Sequence, residues 1–241
     1  MIAKKETKHR PTHRQSEFNL DGIVPWGRRL DEYEAFFALS DVPLAARILD
    51  VGGGPASFAG EASAQGRHVT AIDPIYAAEG GAIRAQFERT AKAMKAGMTA
   101  ARYRFNWKFY GSEELVHKRR REALDLFLAD YAREGAVRYV PGSLPDLPFA
   151  DGTFDLALSS HLLFLYGDEL NADFHVSALR ELMRVAGEVR VFPLLNLDGR
   201  PSSHLPVVMQ AMRADGFVPE LCDVDFEFQI GATKMLRVRK D

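Results

Sequence analysis

Three consecutive glycines, Gly52-Gly53-Gly54, stand between an apolar run and a proline, and they constrain the fold more than any other feature of the chain. The run before them, Arg47-Ile48-Leu49-Asp50-Val51, has the short apolar pattern of a strand buried on both faces. Pro55 behind them suits the first turn of a helix, where its missing N–H has no partner to lose. A second strand-like run, His68-Val69-Thr70-Ala71-Ile72, ends at Asp73-Pro74. Strand, helix and strand within about 30 residues make a βαβ unit, whose crossover is right-handed. Glycines at such a turn let a ligand approach the backbone, and the helix start behind them offers unbonded N–H groups. Taken alone, the turn is equally a plain tight βα connection.

The rest of the chain extends the alternation. Leu30, Tyr33, Phe36, Phe37 and Leu39 keep close to a 3.6-residue period, predicting a helix over 29–39. Ile83, Phe87, Ala91, Met94 and Met98 predict another, and Leu124, Phe127, Leu128 and Tyr131 a third. Strands are expected at 137–140, 154–159 and 188–192, with helices over 174–185 and 201–214. The closing runs, 217–222 and 234–238, have no helix between them and read as an antiparallel edge hairpin. An α/β fold follows, with a mostly parallel sheet covered on both faces. The expected organisation is an N-terminal tail and helix (1–45), a core (46–75 and 136–241) and an inserted helical segment (76–135). Residues 1–20 are polar, contain Pro11 and are expected to form a mobile tail.

Composition removes several alternatives. Hydrophobic residues make up 46% and charged ones 27%, enough to bury a sizeable core and too apolar for wholesale disorder. A net charge of −2 argues against a polybasic protein, although residues 76–138 hold 13 bases against 8 acids. The one cysteine, Cys222, cannot form an internal disulfide or a thiolate zinc cluster, and no metal-ligand spacing occurs. No apolar run reaches the ~18 residues of a membrane helix, and the N-terminus lacks a secretory apolar stretch. A cytoplasmic protein with no membrane partner is expected.

Two carboxylates frame the glycine turn. Asp73 ends the second strand, at the height where an acid can take both ribose hydroxyls of a nucleoside. Asp50 ends the first, where a dinucleotide-binding strand stays apolar; a carboxylate there suits an amino-bearing or cationic ligand better than a pyrophosphate. With Ile48–Gly54 and Ala71–Pro74, the stretch Leu147-Pro148-Phe149-Ala150-Asp151-Gly152-Thr153-Phe154-Asp155 and the helix Ala178–Val185 occur in one order. In these residues the chain resembles the class I S-adenosylmethionine-dependent methyltransferases, over 45–75 and 136–240.

The resemblance implies a Rossmann-like seven-stranded sheet, order 3-2-1-4-5-7-6 with strand seven antiparallel, and S-adenosyl-L-methionine as cofactor. It implies that Gly52, Gly53 and Gly54 line the methionine and ribose part of that cofactor. Asp50 would orient the loop, or a bound water and the amino group; Asp73, followed by Pro74, would bind the ribose diol. Ile75 would pack on adenine. At Gly142-Ser143-Leu144 the family's usual acid is missing, so Ser143 or a backbone group beside Leu144 would meet the adenine edge. Ala56 replaces the loop's last glycine, and Ala186-Gly187 replaces the usual Pro-Gly-Gly. Ser159-Ser160-His161 lies where methyl group and acceptor meet in such enzymes. His161 is a candidate general base or a pocket-shaping residue. His175, on an apolar helix face, reads as a satisfied core histidine. Arg28 would reach the methionine carboxylate, or Trp26-Gly27-Arg28 is a helix-entry turn anchored by Trp26.

The segment 76–135 exceeds the family's usual length by about forty residues. Its Tyr103-Arg104-Phe105-Asn106-Trp107-Lys108-Phe109-Tyr110 alternates aromatic and mostly basic residues; extended, it would put each set on one face. As a lid it would bring Trp107 or Tyr110 against an acceptor. As a nucleic-acid surface it would stack bases while Lys118-Arg119-Arg120-Arg121 takes phosphate, although Glu113, Glu114, Glu122 and Asp125 dilute that run. An ordinary helical subdomain with a solvated face is the third reading. The sequence therefore predicts a methyltransferase acting on a small-molecule acceptor. An RNA methyltransferase, a nicotinamide-dependent oxidoreductase and a non-catalytic cofactor-binding module are the alternatives. The acceptor, the atom methylated and the oligomeric state leave no mark on the sequence.

Overall fold

Successive side chains of the central strands are buried on opposite faces of the sheet, and this sets the layers. The computed structural model describes residues 24–240; the expected mobile tail over 1–20 lies outside the described residues. In β1 (Arg47–Val51), Ile48 packs into one apolar layer while Leu49 and Val51 pack into the other. In β4 (Phe154–Ser160), Leu156 and Leu158 face the first layer and Ala157 the second. A strand with both faces apolar has to be covered on both, as a parallel sheet is.

Seven strands form one sheet in the order β3-β2-β1-β4-β5-β7-β6. Besides β1 and β4 these are β2 (His68–Ile72), β3 (Tyr139–Val140), β5 (Ala186–Phe192), β6 (Phe217–Asp223) and β7 (Lys234–Lys240). All pairings are parallel except those of β7, which runs antiparallel to both β5 and β6. This is the expected topology, edge hairpin included. One face carries α5 (Ala172–Val185) and α6 (Leu205–Ala214). The other carries α1 (Leu30–Phe37), α2 (Phe58–Ala64), α3 (Gly80–Ala100) and α4 (Glu113–Glu134). Each fully buried Phe or Leu in these layers contributes roughly 1.5–3 kcal/mol. Among the described residues no helix is long and apolar enough to cross a membrane.

Several boundaries differ from the sequence reading. Pro55 is not in the first turn of a helix: α2 starts three residues later at Phe58, behind Ser57. β3 is only two residues long, because 135–137 form a 3-10 turn that leaves Val137 84% exposed. The helix expected from Pro201 begins at Leu205, where Pro206 occupies the first turn.

The alternating aromatic stretch is not an extended strand either. Arg102–Arg104 is a 3-10 turn and the Gly111 amide bonds back to the Trp107 carbonyl at 2.6 Å, so the chain curls. Most of its aromatics consequently pack against Phe226 and Phe228. Phe105 stacks on Phe228 at 4.7 Å, Phe109 meets Phe226 at 4.9 Å, and Tyr103 points outward, 67% exposed. By contrast α3 buries the five residues its period singled out, Ile83, Phe87, Ala91, Met94 and Met98.

Candidate active site

The register of the sheet brings the chemistry to one rim. Val51 pairs with Ile72 on one side and Ser159 on the other, and Ser160 pairs with Phe192. Gly52, Asp73 and His161 therefore all lie just past the carboxyl ends of paired parallel strands, where α/β sheets bind ligands.

The glycine turn closes on itself. The Gly52 amide donates to the Ile72 carbonyl at 2.9 Å, and the Gly54 amide donates to Asp73 Oδ2 at 3.0 Å. These two N–H groups of the turn are committed. It offers room. A Cβ on Gly53 would meet Asp50 Oδ2 at 2.5 Å, whereas one on Gly54 would find nothing nearer than 3.9 Å. Gly54, at φ +54°, thus borders open space with backbone alone.

Asp73 also accepts from the Ile75 amide through Oδ1 at 2.9 Å. Each carboxylate oxygen has two lone-pair directions, so each keeps one free for a second donor. Burial raises the Asp73 pKa, and the amides of Ile75 and Gly54 oppose that shift. Asp50 is buried behind the turn and accepts the Tyr33 hydroxyl, 3.0 and 3.2 Å from its two oxygens. Burial pushes its pKa up to about 7; the Tyr33 bond works against this and the charge of Asp73 with it. Tyr33 comes from α1 and is fixed by stacking on Phe58 of α2 at 4.0 Å.

Two cavities meet at this rim. The glycine-turn cavity, about 570 Å³, is bounded by Gly52–Gly54, Asp73, Pro74, Ile75, Ser143 and Leu144. The aromatic chamber, about 110 Å³, lies under the α3–α4 hairpin and the loop after β6. Val24, Trp26, Arg28 and His161 line both, and form the partition. Trp26 is held there by stacking on Phe87 of α3 at 5.5 Å, so the segment acts as the packing anchor the sequence suggested. Gly27 lets that segment cross the glycine turn: a Cβ on it would lie 2.0 Å from the Pro55 carbonyl oxygen.

His161 takes a left-handed backbone, φ +55°, held by its amide donating to the Phe192 carbonyl at 2.7 Å. Such a conformation costs roughly 1–2 kcal/mol in a non-glycine residue. It turns the imidazole into the partition against Phe36 and Phe192, with Nδ1 2.9 Å from Ser160 Oγ. Burial, and then the charges of Arg28 and Arg120, hold its pKa well below 6.5, so the ring is neutral. Ser159 does not border either cavity. β4 runs one residue further than expected, and it is Ser160 that reaches the wall while Ser159 is fully buried behind it.

Tyr110 lines the aromatic chamber, but its hydroxyl is spent: it donates to Glu32 and accepts from Arg120 Nη2 at 2.8 Å. Burial raises its pKa further, so it is a wall rather than an acid or base. Glu32 is fully buried and pairs with Arg120 at 2.6 and 2.9 Å; despite burial, that guanidinium holds the carboxyl down to about 2. His175 is the satisfied core histidine expected, with Nε2 accepting the Phe164 amide at 2.9 Å. Glu32, Phe226 and Phe228 were not singled out by the sequence, and Arg120 stood there only in the basic run 118–121. The period-two spacing of Phe226 and Phe228 before β7 was a visible signal; nothing marked Glu32 and Arg120 as partners 88 residues apart.

The chain is 31% identical over 223 residues to the uncharacterized protein MJ0045 of Methanocaldococcus jannaschii, covering 92% of this chain and 98% of that one. Among solved structures it is similar to magnesium protoporphyrin IX methyltransferase from Synechocystis PCC 6803 with bound SAM. That match has 11% identity, 88% and 78% coverage of this chain and that one, and a TM-score of 0.46. It is also similar to Burkholderia thailandensis 1,6-didemethyltoxoflavin-N1-methyltransferase, with 15% identity, 88% and 80% coverage and a TM-score of 0.47. The family described as "Methyltransferase domain" matches residues 94–188, from within α3 through β4 and α5 to the start of β5. With that match set on this strand order and this acid-flanked turn, the chain belongs to the class I methyltransferases, enzymes that draw their methyl group from S-adenosylmethionine.

Proposed function

We propose that this methyltransferase acts on a small-molecule acceptor held in the aromatic chamber, and that it works in the cytoplasm. The observation that carries this reading is the pair of cavities divided by His161, Arg28, Trp26 and Val24. A molecule in one cavity would adjoin a molecule in the other where these four residues border both.

The glycine-turn cavity fits the cofactor on chemical grounds. The free lone pairs of Asp73 suit a ribose diol, and the open backbone of Gly52–Gly54 suits the methionine and ribose part. Pro74, Ile75 and Leu144 offer apolar packing to adenine, with Ser143 at its polar edge. Asp50, partly protonated near neutrality, braces the turn from behind. Bound there, S-adenosylmethionine supplies an electrophilic methyl group on a sulfonium. His161, neutral and fixed by Ser160, accepts a hydrogen bond or the proton from the acceptor's attacking atom. The aromatic walls strip water from that atom, and alignment alone can supply up to roughly 7–11 kcal/mol of the barrier. Tyr110 closes the chamber and transfers no proton, because its hydroxyl is held between Glu32 and Arg120.

The basic run gives the RNA reading little support. Arg119 pairs with Asp31, Arg120 with Glu32, Arg121 with Glu88, and Lys118 lies 3.8 Å from Glu122. Four cations so engaged have little left for phosphates. The test is transfer of labelled methyl from S-adenosylmethionine into fractions of a cell extract. Label in the low-mass ultrafiltrate is expected; label confined to RNA or protein would overturn the reading.

A further inference from the structure

We infer that the acceptor is a small aromatic acid, a one-ring compound whose carboxylate is received by Arg28 at the partition. This rests on the reading of the aromatic chamber as the acceptor site. Three guanidinium groups, Arg28, Arg104 and Arg120, line that chamber, and no carboxylate is among its described lining residues. Glu32 balances Arg120 from behind, and Asp198 lies 3.6 Å from Arg104. Arg28 is different. Its guanidinium donates to the Trp26 carbonyl at 2.8 Å, and among the described residues no carboxylate forms an ion pair with it. Burial, and then the neighbouring Arg120, lowers its pKa to about 10, as expected of a cation short of counter-charge.

A sulfonium in the adjoining cavity adds a further positive charge, so a neutral or cationic acceptor would leave the partition uncompensated. An anionic one restores balance. A guanidinium binds a planar carboxylate through two parallel N–H bonds. The rest of the chamber is built for a ring. Phe105 and Phe228 stack at 4.7 Å, and Tyr110 stands edge-on to Phe228 at 4.8 Å. A volume of about 110 Å³ is near the ~150 Å³ of an apolar cavity that takes up benzene, and well short of a nucleotide. On transfer to a ring hydroxyl, as the probes below carry, its oxygen forms the new bond to the methyl carbon. The carbon–sulfur bond breaks with its pair left on sulfur, and the hydroxyl proton passes to His161.

Calorimetry on the full chain, with S-adenosylhomocysteine in excess, separates the possibilities using 4-hydroxybenzoate, 4-hydroxybenzamide and tyramine as probes. The acid is expected to bind at least about tenfold tighter than the amide, and tyramine weakest. Arg28→Met should bring acid and amide to within about twofold while S-adenosylhomocysteine affinity, which also reports folding, stays within about twofold. Equal binding of acid and amide, tightest binding of tyramine, or no binding of any probe overturns the proposal. So does an Arg28→Met variant that loses S-adenosylhomocysteine affinity but keeps the preference for the acid, since Arg28 then serves the methionine carboxylate. Failure of the unmodified chain to bind S-adenosylhomocysteine would instead remove the cofactor reading beneath it.

Discussion

Asp50 and Asp73 are two carboxylates at neighbouring strand ends, and their surroundings give them different work. Asp73 keeps lone pairs facing the cavity, whereas Asp50 is sealed in with Tyr33. Folded Asp50 holds its proton up to about 7; an unfolded aspartate releases it near ~3.9. Between those values the unfolded chain is the form that has lost the proton, so ionisation favours unfolding and stability falls as pH rises. The effect amounts to about 4 kcal/mol at the outside. Asp50→Asn removes it. Thermal melts from pH 4 to 8 should show the wild type losing ground to the variant with rising pH; a constant gap would show that Asp50 titrates normally. The position of both acids was legible because each ends an apolar run. Gly27 was not, because its need for no side chain comes from Pro55, which no local pattern links to it.

At the scale of elements, the helical hairpin is bound to α1 by a buried polar knot. Glu32 on α1 meets Arg120 and Tyr110, and its Oε2 also accepts the Arg29 amide at 2.8 Å. Removing one member leaves an uncompensated buried charge, whereas replacing both with apolar groups of similar size does not. Glu32→Gln should therefore cost ~3–5 kcal/mol in urea unfolding, and Glu32→Leu combined with Arg120→Met should cost less than that single change. A single-variant cost below about 1 kcal/mol would mean the knot is not buried as described. Helices with a clean apolar period were readable in advance, α3 residue for residue. The 103–110 stretch was not, because a period of two predicts a strand only where a partner strand exists. Its one ladder-like contact is an isolated bridge from Phe105 to Gln229, and the chain turns around it.

For the whole molecule, the order of motifs was enough to anticipate the sheet. βαβ units can be wound in few ways, and the two closing runs without a helix had to make an antiparallel edge. The second compartment was beyond that reach. It is assembled from 24–28, α3, the turn after α3, α4, the segment after β4, the end of β5 and the loop before β7, brought together only by folding. Everything proposed for the site depends on the glycine-turn cavity holding S-adenosylmethionine through Asp73. Titration calorimetry with S-adenosylhomocysteine tests it most directly. One site with micromolar-range affinity is expected, weakened about 10- to 100-fold by Asp73→Ala, the loss of charge-assisted bonds to the ribose. Absence of binding, or binding that Asp73→Ala leaves unchanged, would contradict it.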